Sequence, residues 1–137
     1  MTFRARLKAH SSTRTGMAAR RAAPEDVERL KSLVEQQRKN DGDLLLTLQT
    51  DLQLYQAMVE GAGSLVARLM FATLSRLSQA CLEKVPALLF VHPDYLEHIE
   101  VMVEAIAKRK PEEASASLDG LYQKTDTILL QRIGRLP

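Results

Sequence analysis

Residues 41–63, DGDLLLTLQTDLQLYQAMVEGAG, constrain this chain more than any other stretch. Leu45, Leu48, Leu52, Tyr55 and Val59 follow a 3,4 spacing, which predicts a helix from about Asp43 to Glu60. Leu44, Leu46, Leu54 and Met58 widen its apolar stripe almost all the way round. Such a helix must be covered on several sides, so the rest of the chain is expected to pack around it. In its middle stands Asp51, with Tyr55 one turn further on, and that spacing places both on one face. A carboxylate in that position is either a solvated edge or the floor of a pocket.

The neighbouring segments also read as helices. Ala23-Pro24-Glu25-Asp26 is a start signal, with proline suited to a first turn and acids favourable to the helix dipole. The helix it opens carries Val27, Leu30, Leu33 and Val34 to about Lys39, and Asn40-Asp41-Gly42-Asp43 breaks it. Gly61-Ala62-Gly63-Ser64 ends the long helix and caps the next, 65–84, whose expected packing side is Val66, Leu69, Met70, Leu74, Leu77 and Cys81. Arg68 and Arg76 project elsewhere. Pro86 closes that helix and residues 87–91 form a connector. His92-Pro93-Asp94 opens a helix to about Lys110 with Tyr95, Ile99, Met102, Val103 and Ile106 inward. Pro111-Glu112-Glu113 starts the last, through Leu118, Leu121, Tyr122, Ile128 and Leu129 to near Gly134. A weak helix over 4–20 is interrupted by Ser11, Ser12, Thr13 and Gly16. With no sustained period-two alternation, the expected fold is all-α, an antiparallel bundle of six to seven helices.

Composition narrows the function. A core without Trp, built from Leu, Val, Ile, Ala and Met, suits helices. The single cysteine, Cys81, excludes an internal disulfide framework and fits a reducing compartment. No apolar run approaches the roughly 18 residues of a membrane span, so a cytoplasmic location is expected. Residues 1–23 carry a charge of +6 and the remainder −4. The chain is thus expected to divide into a basic arm, 1–23, and a helical domain, 24–137. His10, His92 and His98 show no metal-ligand spacing, and there is no nucleophile elbow or phosphate-binding glycine loop. His92 reads as a loop or cap residue, His98 as a helix flank and Cys81 as a small core residue. Nothing here reads as an enzyme.

Three stretches carry a family resemblance: AARRAAPEDVERL (18–30), DLQLYQAMVEGAGSLVARL (51–69) and YLEHIEVMVEAIAKRKPEEASASL (95–118). In combination they resemble the FCD-type, C-terminal effector-binding domain of GntR-family transcription regulators over residues 14–137. Many members bind a divalent metal through an aspartate, a histidine four residues later, and one histidine on each of the last two helices. Laid on that pattern, Asp51 keeps the aspartate, while Tyr55, Ile99 and Leu121 stand at the three histidine positions. His98 is one residue out of register, about 100° away around the helix. The resemblance therefore implies no metal and no other cofactor, closest in kind to the fatty-acid-responsive, FadR-type members. It also implies a homodimer and a small-molecule effector, such as a fatty acid or acyl-CoA. Its candidate contacts are Asp51, Tyr55, Arg68, Arg76, Ile99 and Leu121. DNA would be met only through a winged-helix module, which residues 1–23 do not contain. A dimerisation module with a filled core and no ligand is the alternative.

Overall fold

The computed structural model describes residues 15–84 and 89–135. Among them are six helices and no strand: α1 (15–21), α2 (Pro24–Lys39), α3 (Leu44–Ala62), α4 (Leu65–Lys84), α5 (Tyr95–Ala107) and α6 (Pro111–Ile133). The expected all-α bundle is present. Most of the basic arm (1–14, with His10), Pro86 and the closing Leu136-Pro137 lie outside the described residues. So do the side chains of Leu74 and Cys81.

The helix ends follow local chemistry. At the start of α2 the Ala23 N–H donates to Asp26 Oδ2 at 2.9 Å. Gly42 takes a positive φ of 83° in the α2–α3 turn. Asp43 then caps α3, its Oδ1 accepting from the Leu46 N–H at 3.0 Å. Gly63, at φ 67°, supplies the left-handed residue that ends α3, and Ser64 Oγ accepts from the Ala67 N–H of α4. The α5–α6 turn uses a left-handed arginine instead, Arg109 at φ 58°. Its guanidinium donates to the carbonyls of Ala19 and Ala22, so the strained residue also ties down the C-terminal end of α1.

In space α2 lies between α3 and α5, α6 packs on α5, and α4 packs principally on α3. Among the described side chains, the core comes from every layer except most of α4: Leu30 and Val34 of α2, Leu54 and Met58 of α3, Met102 and Ile106 of α5, Leu118 of α6. The small residues Ala18, Ala19 and Ala22 are fully buried, which lets α1 approach closely. A Cβ added at Gly61 would stand 3.3 Å from that of Ala22. Close packing therefore recruits α1 despite its weak helix composition.

Two expectations need correction. The long helix α3 is central only from Thr50 onward, where Thr50, Leu54, Ala57, Met58, Val59 and Ala62 are buried; Leu44, Leu45 and Leu46 at its start are exposed. On α4, Val66, Leu69 and Leu77 face solvent, at 65, 62 and 54% exposure, and Ala67 is buried instead. Periodicity identifies an apolar stripe but says nothing about which side has a neighbour. With α3 as its principal neighbour among the described elements, α4 buries Ala67 and leaves Leu65, Val66, Leu69 and Leu77 exposed.

Candidate functional site

Asp51 lies at the middle of α3, where α2 and α5 converge on it. Its Oδ1 accepts a short hydrogen bond from the Tyr95 hydroxyl of α5. Tyr95 Oη in turn accepts from Gln37 Nε2 of α2 at 3.0 Å, and the same amide donates to the Thr47 carbonyl at 2.9 Å. Gln37 Oε1 accepts from Asn40 Nδ2, which also donates to Thr50 Oγ1 at 2.8 Å. Gln37, Asn40 and Thr50 are buried. The result is a polar chain running from the end of α2 into the bundle, with its members hydrogen-bonded to one another.

One turn further along α3, the Tyr55 hydroxyl meets that of Tyr122 on α6 at 2.8 Å. All three tyrosines of the chain thus converge on this region. The Tyr95 hydroxyl on the Asp51 carboxylate joins α5 to α3, and the Tyr55–Tyr122 hydroxyl pair joins α3 to α6. Ile99 of α5 and Leu121 of α6 are buried, at 3 and 6% exposure.

Burial sets the electrostatics. Loss of solvent raises the Asp51 carboxyl to about 6, against the opposing effect of the Tyr95 hydrogen bond. Tyr95 is pushed far above the usual phenol range by burial, then by the adjacent Asp51 charge and by donating to it. Tyr55 rises well above 10.0 through burial and its contact with Tyr122. Both phenols therefore stay protonated at neutral pH. Asp51 remains mostly ionised there and acts chiefly as an acceptor, gaining a proton as pH falls through about 6.

The donor set does not fit a divalent metal. Asp51 offers one carboxylate, Tyr55 a protonated phenol, and Ile99 and Leu121 nothing, where tight sites use three or four donors. Among the described residues no group of three His, Cys, Asp or Glu side chains could hold an ion. His98 is engaged elsewhere: Lys124 Nζ donates to its Nε2 at 3.0 Å and to Asp94 Oδ2 at 2.9 Å, which holds the Asp94 carboxyl below its usual range. The ring lies against Gly120, where an added Cβ would come within 3.1 Å. His92 sits in the loop before α5, its Nδ1 accepting from the Asp94 N–H.

Of the six sequence-derived candidates, the structure places Asp51 and Tyr55 among the tyrosines and Ile99 in the core cluster that Tyr55 packs against, while Leu121 is buried but not part of that cluster. Arg68 and Arg76 stand exposed on α4, with no hydrogen bond or ion pair to this group. Tyr95, Tyr122, Gln37, Asn40 and Thr50 were not among the candidates. The one signal available for the first two was scarcity: three tyrosines and no tryptophan in 137 residues. Beside the polar chain a cleft of about 330 Å³ opens between the α2–α3 turn and the segment before α5, lined by Gln37, Thr47, His92, Tyr95 and Leu96 among others.

Comparison with known proteins gives one result. The sequence model of the family described as the FCD domain matches residues 12–124, most of the chain. Neither a curated protein nor a solved structure matches it.

Proposed function

The chain belongs to the FCD domain family, and on that premise we propose that it is the ligand-sensing and dimerisation domain of a GntR-type transcription regulator. Its effector is a carboxylate or acyl-type metabolite bound in the bundle core without a metal. In that role it acts on DNA only through a winged-helix module, as a homodimer, and it is not an enzyme.

The observation that carries this reading is the Asp51–Tyr95 pair. Holding a half-buried, largely ionised carboxyl in the bundle lowers stability, and a nonpolar residue would fill the position at less cost. Its presence is explained if the pair meets a polar ligand end. Asp51 in its ionised form accepts from a ligand hydroxyl, and in its protonated form, favoured as pH falls toward 6, it donates to a carboxylate or a thioester carbonyl. Ile99 and Leu121, buried here, would form the apolar wall against an acyl chain once a ligand parts the core. The cleft beside Gln37 and Tyr95 provides an approach.

Thermal-shift and calorimetric screening against fatty acids, acyl-CoAs and short carboxylates tests the proposal. A ligand should raise the melting temperature of the native chain and lose its effect in Tyr95→Phe. Blank screens would instead favour the second reading, a dimerisation module with a filled core. The near-complete burial of Ile99 and Leu121 supports that alternative.

A further inference from the structure

We propose that the bare face of α4 is the surface on which two copies of this chain pair, antiparallel, about a two-fold axis passing beside Thr73. This names the surface for the self-association in the reading above, and it requires no ligand. Val66, Leu69, Thr73, Leu77 and Ala80 are all exposed and lie along one side of the helix. Their steps are three, four, four and three residues, the i/i+3/i+4 pattern of a helix seam. That order reads the same in both directions from Thr73. Turning a second copy end for end sets Leu69 against the other Leu77, Val66 against the other Ala80, and Thr73 against itself. A stripe spaced this way can meet its own rotated copy in register, which is what an isologous interface requires.

Two further features favour a second copy. The Thr73 hydroxyl already donates to the Leu69 carbonyl of its own helix at 3.3 Å, so the residue on the axis brings no unsatisfied donor to an apolar contact. Leu65, Val66, Leu69 and Leu77 are 54 to 65% exposed. Together they leave on the order of 400 Å² of apolar surface bare, a patch size that on a monomer commonly marks a binding surface. Over both copies, with Thr73, Ala80 and the Arg76 stem, this approaches about 1,200 Å², the lower bound for a specific interface. The helix is about 30 Å long, enough for the whole seam to meet.

Light scattering and sedimentation of the full chain should give twice the 15.3 kDa monomer mass. Leu69→Glu and Leu77→Glu should each weaken self-association about a hundredfold, as charges placed in a buried seam. Val101→Glu, on an α5 position that is 51% exposed, should leave it unchanged. Both sites are open to solvent in one copy, so circular dichroism should show every variant folded. For the axis, Thr73→Cys in a Cys81→Ala background should link efficiently to its mate through a short thiol cross-linker, and Val101→Cys should not. A dimer indifferent to both glutamates would overturn the surface while leaving self-association intact. A native chain monomeric at 100 μM (about a hundred times a micromolar Kd) would overturn both. Dissociation by glutamate without linkage at Thr73 would overturn the antiparallel axis.

Discussion

Helices α4 and α5 carry similar apolar side chains and meet opposite fates. Helix α5 buries Ile99, Met102, Val103, Ala105 and Ile106 between α2 and α6. Helix α4, seven residues longer, leaves Leu65, Val66, Leu69 and Leu77 bare. The stability of the monomer therefore resides in α5 and its neighbours, and the apolar residues of α4 are available for something outside the monomer. An apolar residue contributes to folding only if another element removes it from water.

The largest test of that contrast is Ile106→Ala. Ile106 is fully buried, so truncation removes transfer energy and leaves a cavity, for an expected loss of about 2 to 5 kcal/mol in urea unfolding. Next comes pH. The Asp51 carboxyl is raised from 3.8 to about 6 in the folded chain, so the folded state holds a proton that the unfolded state has released. Stability is favoured below pH 3.8 and declines as pH rises through 6, by about 3 kcal/mol at most. Asp51→Asn should flatten this decline, so urea titrations of the two proteins should diverge between pH 4 and 7. Tyr95→Phe comes third. It removes the donor to Asp51 and the acceptor for Gln37, and should lower stability by about 1 to 3 kcal/mol at neutral pH. It should also move the Asp51 transition upward, because the hydrogen bond lowers that group. The smallest effect is expected from Leu69→Ala, within about 0.5 kcal/mol when measured at concentrations where the chain is monomeric. A loss as large as that of Ile106→Ala would erase the distinction between the two helices.

Much of the fold was legible in local chemistry. Pro24, Asp43, Gly63 and Pro111 mark helix ends because caps and breakers act within a few residues, and the structure places the ends there. The inward face of α5 was legible too, since Ile99, Met102, Val103 and Ile106 form one stripe with polar residues opposite. Asp51 and Tyr55 stood out as polar groups in an apolar helix. Their partners did not. Tyr95 is 44 residues from Asp51 and Tyr122 is 67 from Tyr55, and each counts as an apolar-face residue in its own helix. Gln37 and Asn40 look like ordinary solvent-facing residues near a helix end.

The sequence by itself determined that this chain is helical, where its helices begin and end, and that α3 carries an acid among apolar residues. Those properties depend on neighbours within one or two turns. Only the tertiary structure decided that Asp51 meets Tyr95, that the first turn of α3 is left uncovered, and that the apolar stripe of α4 faces outward. Those outcomes depend on which helix lies beside which. A 3.6-residue period marks a face for burial without naming the neighbour that covers it.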